Sequence, residues 1–198
     1  MATLTGPALE AYARQTAADY ILACGGEPGP QRLVVGAAIA GPERGGPTVL
    51  LVQRAAHERS YPNEWEIPGG HVDPGESILD AVAREVREET ALSVTEVVCE
   101  FEGFEYRSTG HEEGESDDAA DGTRSVLTRQ LNFCVRVQSH DAVVLSPEEH
   151  QRYLWCTRDM LSQLSLTPAM RKVAEDALVA LASSGQLPPA AMGFSGPM

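Results

Sequence analysis

Residues 65–92, WEIPGGHVDPGESILDAVAREVREETAL, constrain the fold more than any other stretch of the chain. An apolar strand leads into a loop rich in Pro and Gly, and an acidic helix follows. Gly69 and Gly70 let the backbone approach a ligand without interference from a Cβ atom. Pro74 and Gly75 stand where a type II turn favours these residues. The chain is therefore expected to reverse direction here, between a strand and a helix.

The helix is expected to begin at about Ile78. Ser77, followed three residues later by Asp80, has the form of an N-cap with an acidic partner at the third helical position. Apolar residues then recur at the spacing that packs one face of a helix against a core. These residues are Ile78, Leu79, Val82, Ala83 and Val86.

Three carboxylates on this helix, from Glu85, Glu88 and Glu89, fall at i, i+3 and i+4 and share one face. That face flanks the apolar stripe, so it could line a cleft; a solvated acidic face is the simpler alternative. A solvated face would place the negative charges of Glu88 and Glu89 in the last turn, where they oppose the helix dipole. It would also leave Glu85 and Glu89 as a like-charge pair, which costs roughly 0.2–0.5 kcal/mol. A bound divalent cation would relieve both penalties. Mg²⁺ suits such a site because it keeps positions for water and phosphate oxygens.

The same stretch resembles the Nudix box, whose family pattern is GX5EX7REUXEEXGU with U a bulky aliphatic residue. Ala91 departs from the pattern, since it stands where the family has its last glycine, a residue expected in left-handed conformation just past the helix. Alanine in that conformation costs about 1 kcal/mol. The matching residues are Gly70, Glu76, Arg84, Glu85, Val86, Glu88, Glu89 and Leu92.

The resemblance covers residues 32–165 and implies the Nudix fold, an α/β (α+β) domain with a mixed β-sheet sandwiched between α-helices. It also implies hydrolysis of a phosphoanhydride bond in a nucleoside di- or triphosphate, or in a nucleoside diphosphate derivative, by water attack at phosphorus. Mg²⁺ is the expected cofactor, with Mn²⁺ as the alternative ion. Two other functions stay open: hydrolysis of a non-nucleotide diphosphate such as an isoprenoid diphosphate, and nucleotide binding by a regulatory module without turnover.

By this resemblance the metal ligands are Glu85, Glu88 and Glu89. Arg84 would orient Glu85 or Glu88 by ion pairing, and Glu76 would be structural. All three glutamates and Arg84 are therefore the candidate catalytic residues.

Other candidates lie around the box. Gly69 and Gly70 would supply backbone contacts to the substrate. Arg54, at the end of a predicted strand, could face substrate phosphates or form a surface ion pair. Trp65 is expected in the core, with base stacking as the alternative.

A second acidic segment, Glu148-Glu149-His150, resembles the segment that precedes a final strand in many Nudix proteins. Glu148 or Glu149, with Glu149 preferred, could bind metal or act as general base. Charge at a helix N-terminus after Pro147 explains both residues equally well. His150 is a weaker candidate base, because no partner spacing supports it.

The rest of the chain is predicted as an extension at 1–31, the Nudix domain at 32–165, and a helix and tail at 166–198 that complete it. An amphipathic helix at 7–24 would pack on the domain, contact a second copy in a homodimer, or contact a substrate lid. The other predicted elements are strands at 32–40 and 48–54, a hairpin with a bulge at Gly103 and a return strand at 126–137, a short helix at 157–164, and an amphipathic helix from Pro168.

Composition limits the size of the domain and the kinds of partner that the chain can bind. With 198 residues and 42% hydrophobic content, the chain can form one domain with a sizeable core. A net charge of −14 disfavours long nucleic acids. Neither a membrane span nor a signal peptide is predicted, so a cytoplasmic location is expected.

Composition also indicates the state of an acidic segment and of the cysteines. The acidic connection at 110–122 cannot bury a core and is predicted to be a disordered or solvated loop that turnover does not need, with metal binding by His111 as the alternative. The four widely spaced cysteines form no CxxC pair and are predicted to be buried free thiols. They are Cys24, Cys99, Cys134 and Cys156.

Overall fold

The computed structural model describes residues 3–4, 7–25, 29–42, 45–109 and 125–184. The acidic connection at 110–122 lies outside the described residues. Among the described residues, no helix is both long and apolar enough to cross a lipid bilayer.

In chain order the elements are β1 (Thr3–Leu4), α1 (Pro7–Tyr12), α2 (Ala17–Cys24), β2 (Arg32–Ile39), β3 (Val49–Arg54), β4 (Trp65–Glu66), β5 (Gly69–His71), α3 (Ile78–Thr90), β6 (Val94–Thr109), β7 (Ser125–Val137), β8 (His150–Cys156), a 3-10 helix (Arg158–Gln163) and α4 (Pro168–Ser184).

The strands form two sheets. The larger has the order β1-β6-β7-β2-β5 and is mixed, since β7 runs parallel to β2 while β6 and β5 run antiparallel to their neighbours β7 and β2. The smaller has the order β4-β3-β8 and is antiparallel. The strands β2 and β3 are both central, as their apolar sequences predicted, but they lie in different sheets.

Helices cover both sides of the sheets. On one side, the odd-numbered residues of β2 and β7 pack with α1 and α3 in one apolar core. On the other side, Ala38 and Cys134, which point to the opposite faces of the same strands, pack with β3 and α4 in a second core. The predicted mixed sheet between helices is therefore confirmed.

The N-terminal segment forms two short helices, so the prediction of a single helix over residues 7–24 is wrong. Thr16 begins the second helix: its Oγ1 accepts a hydrogen bond from Asp19 N at 3.2 Å, and Asp19 Oδ2 accepts one from Thr16 N at 3.0 Å. This reciprocal capping box satisfies backbone groups that a continuous helix would pair differently. Leu9 lies in the first core, and Tyr12 and Tyr20 pack against it.

Several local predictions agree with the structure. Trp65 is 6% exposed and lies in the second core. The register of the β6–β7 hairpin shifts between Phe101 and Phe104, which confirms the bulge at Gly103. The four cysteines are free thiols as predicted, but only Cys134 and Cys156 are buried; Cys24 is exposed at the end of α2 and Cys99 is half-buried, so the prediction of burial is wrong for these two.

The residue that departs from the Nudix pattern, Ala91, has φ 57° and ψ 8° and is left-handed. Its N–H donates to Arg87 O at 2.9 Å, so the helix ends here as it would with glycine. Ala91→Gly is expected to raise the free energy of unfolding by up to about 1 kcal/mol, because glycine adopts this conformation without Cβ strain. Urea denaturation measures the change.

The matched control is Ala83→Gly, in the middle of the same helix, which is expected to lower stability by about 0.5–1 kcal/mol. Unchanged or lowered stability of Ala91→Gly would contradict the assignment of strain to residue 91.

Candidate active site

Helix α3 carries the three predicted carboxylates. It begins where the sequence predicted, because Ser77 Oγ accepts a hydrogen bond from Asp80 N at 3.1 Å. Glu85 and Glu89 are 9% and 3% exposed, whereas the side chain of Glu88 is 52% exposed. The acidic face therefore lies at the edge of the core, and two of its carboxylates are removed from water.

Arg84 forms ion pairs with two glutamates of this face. Its Nη1 donates to Glu85 Oε1 and to Glu88 Oε2, both at 2.9 Å, so the predicted ion pairs are present with both glutamates. Its Nε donates to Glu76 Oε1 at 3.0 Å, and its Nη2 donates to His71 O at 2.8 Å. Such multiple charge-assisted contacts fix the guanidinium and, with it, one oxygen of each glutamate.

The two glycines before α3 make room for its glutamates. Gly69 and Gly70 lie in β5, which pairs with β2. Gly69 N–H donates to both oxygens of Glu89, at 3.3 and 3.4 Å. A Cβ atom on Gly70 would lie 2.4 Å from Glu85 Oε1, so a side chain there would displace this carboxylate. Contact of either glycine with a substrate stays a prediction.

The loop before β8 is fastened to the end of α3. Val144 N donates to Thr90 O at 3.0 Å, and Ser146 N donates to Glu89 O at 3.2 Å, which satisfies carbonyls that a helix end leaves open. His150 N then donates to Ser146 O at 2.9 Å. A turn at residues 147–149 and strand β8 follow, so the alternative that Glu148 and Glu149 sit at a helix N-terminus is wrong.

The smaller sheet brings a second set of charged groups to the same place. Strand pairing puts Arg54 opposite His150. Arg54 Nη1 donates to Glu66 Oε1 and its Nη2 to Glu58 Oε2, both at 2.8 Å. The ion-pair alternative for Arg54 therefore describes its contacts, and a contact with substrate phosphates stays a prediction.

His150 occupies a more central place than the sequence indicated. It is 2% exposed, and its Nε2 lies 3.2 Å from Glu66 Oε1. Its Nδ1 lies 3.9 Å from Glu89 Oε2. Potential ligand atoms of Glu89, Glu149 and His150 all lie within 4.8 Å of one another.

Sequence reasoning missed Glu66 altogether and gave His150 little weight. One local signal for Glu66 was available, namely a single carboxylate in the apolar run that precedes Gly69. The approach of Glu66 and His150 depends on the register of β4 and β8 on β3, which no local pattern encodes.

Burial sets the electrostatics of the site. Desolvation raises the pKa of Glu89 well above its ordinary value, and the charges of Glu66, Glu85 and Glu149 raise it further, against the hydrogen bond from Gly69 N–H. Desolvation also raises the pKa of Glu85, and Arg84 opposes this effect. Carboxylates gathered in a poorly solvated cluster stabilise a cation, so the arrangement is suited to divalent metal.

Comparison with known proteins identifies the surrounding domain. Residues 30–177 match the family model described as the NUDIX domain. The isopentenyl-diphosphate Delta-isomerase of Mycolicibacterium vanbaalenii is 44% identical over 61 residues, which span 30% of this chain and only 34% of that protein. The nucleoside triphosphatase NudI of Escherichia coli K12 is 32% identical over 126 residues, covering 62% of this chain and 82% of NudI.

Solved structures agree with the sequence match. The crystal structure of the MutT protein from Methanosarcina mazei is similar with a TM-score of 0.52 and 27% identity. The likeness covers 75% of this chain and 93% of that one.

Proposed function

The chain belongs to the Nudix family, and we propose that it is a Mg²⁺-dependent hydrolase that cleaves a phosphoanhydride bond in a nucleoside di- or triphosphate, or in a nucleoside diphosphate derivative. The observation that carries the proposal is the position of Glu85 and Glu89, two desolvated carboxylates of one helix that face Glu149 from the opposite loop. The similarity to a protein named nucleoside triphosphatase supports the substrate class.

The residues present fit a divalent ion. Glu85, Glu88 and Glu89 offer carboxylate oxygens on one helix face, and Arg84 contacts only one oxygen each of Glu85 and Glu88. Hard oxygen ligands of this kind are those that Mg²⁺ prefers. We assign Glu85, Glu88 and Glu89 as its ligands. A bound ion neutralises charge on phosphate oxygens and makes water a better nucleophile.

The protein groups position the reactants. Arg84 keeps Glu85 and Glu88 in place through the contacts described above. Glu149 is exposed and reaches the cluster from the loop before β8, where it can bind metal or accept a proton from water. In the proposed reaction the oxygen of water bonds to phosphorus while the bridging P–O bond breaks, and the leaving phosphate carries away the electron pair.

A substrate panel tests the proposal. Nucleoside di- and triphosphates, sugar nucleotides, dinucleoside polyphosphates and isoprenoid diphosphates are incubated with the protein and Mg²⁺, and products are identified by mass spectrometry. Incubation in heavy-oxygen water shows which phosphorus water attacks. The proposal predicts turnover of a nucleotide with heavy oxygen in one product. Turnover of isoprenoid diphosphates alone, or nucleotide binding without turnover, would favour one of the two other functions.

A further inference from the structure

His150 has the hydrogen-bond pattern of a histidine that binds metal. Its Nε2 lies 3.2 Å from Glu66 Oε1, and the same oxygen accepts a hydrogen bond from Arg54 Nη1. An oxygen of an ionised carboxylate accepts and cannot donate, so Nε2 carries the proton. In a neutral imidazole Nδ1 then bears the lone pair. A carboxylate on the far ring nitrogen is the usual partner of a metal-binding histidine.

That lone pair is aimed into the acidic cluster. Nδ1 is buried and has no hydrogen-bond partner among the described residues. It faces Glu89 Oε2 at 3.9 Å, which is too long for a hydrogen bond. Two electron-rich atoms held this close in a desolvated place repel each other unless a positive charge lies between them. Donors that share one metal ion at about 2.0–2.2 Å each lie about 3–4 Å apart.

We propose that His150 Nδ1 is a nitrogen ligand of a divalent transition-metal ion held together with Glu89 and Glu149. The exposed side chain of Glu149 can adjust its rotamer to complete the set, while Gly69 N–H fixes the carboxylate of Glu89. The inference rests on the proposed function in that Glu89 is shared with its metal site, and it assigns Glu149 to metal binding.

The nitrogen ligand has a consequence for ion preference. Imidazole suits first-row transition metals, whereas Mg²⁺ selects oxygen ligands. The site that includes His150 therefore takes Mn²⁺ or Co²⁺ in preference to Mg²⁺, next to the all-oxygen positions of Glu85 and Glu88.

The test is direct detection of the nitrogen. The 198-residue protein without substrate is loaded with Mn²⁺ and studied by electron spin echo envelope modulation, which detects nitrogen bound to the ion. The parent protein is expected to show histidine modulation, and His150→Gln is expected to lose it. The dissociation constant for Mn²⁺ should rise about 10- to 100-fold in this variant, while that for Mg²⁺ changes by less than about 3-fold.

His57→Gln is the matched control. The ring of His57 lies 2.8 Å from Glu148 O, beside the same turn, but it is exposed and outside the cluster. This variant should keep the modulation and both metal affinities. If His150→Gln does not fold, Glu66→Gln removes the charge behind the ring and should weaken Mn²⁺ binding. Incorporation of heavy-nitrogen histidine into the parent protein should change the modulation.

Two results would overturn the inference. In the first, the parent protein binds Mn²⁺ without nitrogen modulation, as expected if His150 and Glu89 merely share a proton. In the second, the modulation survives in His150→Gln. These results are independent of hydrolysis. Nitrogen coordination without turnover of any substrate would reject the proposed function and leave the histidine ligand standing.

Discussion

Glu89→Gln will lower kcat on the best nucleotide substrate by about 1,000-fold or more, which is roughly 4 kcal/mol of transition-state stabilisation. Glu89 is the most buried carboxylate of α3, and it faces Glu85, Glu149 and His150. Glutamine keeps the size of the side chain but removes its charge. An ion bound at this position would lose its central ligand.

The same substitution separates a metal site from a packing role. Without metal, the variant should be as stable as the parent protein or more stable, since it removes a desolvated charge near other carboxylates. The glutamine oxygen can still accept from Gly69 N–H, and its amide can donate to His150 Nδ1. Urea denaturation in the presence of a chelator measures this stability alongside kcat.

Glu175→Gln, on the exposed face of α4, is the control and should change neither quantity. If Glu89→Gln kept full activity, Glu89 would be excluded as a metal ligand.

Arg84→Gln is expected to lower both kcat and stability, kcat by about 100-fold and the free energy of unfolding by about 2 kcal/mol or more. Arg84 bonds to Glu76, Glu85 and Glu88, and hydrogen bonds to charged groups contribute about 1.5–3 kcal/mol each. Without the guanidinium, the buried carboxylate of Glu85 has no positive partner and is free to turn away from the proposed metal position.

Two variants make the comparison specific. Arg84→Lys keeps the charge, but a single ammonium group cannot reproduce the planar fork, so kcat should fall between those of the parent and Arg84→Gln. Arg87→Gln, exposed on the same helix, should alter stability by less than about 0.5 kcal/mol. Full activity of Arg84→Gln would show that the ion pairs do not position the ligands.

The parts of the fold that the sequence predicted correctly depend on short-range chemistry. The start of α3 at Ser77 and the bulge at Gly103 each follow from a few adjacent residues. The left-handed end at Ala91 is instead indicated only by its place in the Nudix pattern, because alanine itself disfavours this conformation. The break between α1 and α2 also has a local cause, the capping box of Thr16 and Asp19. The apolar pattern on both sides of it gave the impression of one continuous helix.

The candidate site was predictable only where one element carries it. Helix α3 places Glu85, Glu88 and Glu89 on one face by its own periodicity. The approach of His150 and Glu66 instead requires β3 to pair with both β4 and β8, together with backbone bonds from the loop to the end of α3. These are contacts between residues far apart in sequence, so periodicity contains no information about them.

Turnover of the parent protein in excess chelator tests whether carboxylates of α3 hold a divalent ion that hydrolysis requires. Hydrolysis of the best substrate is followed after metal is removed and again as Mg²⁺ is added back. This metal requirement predicts no measurable turnover without metal and full recovery with Mg²⁺, and Glu88→Gln should need a higher Mg²⁺ concentration for half-maximal rate. Undiminished turnover in excess chelator would contradict it.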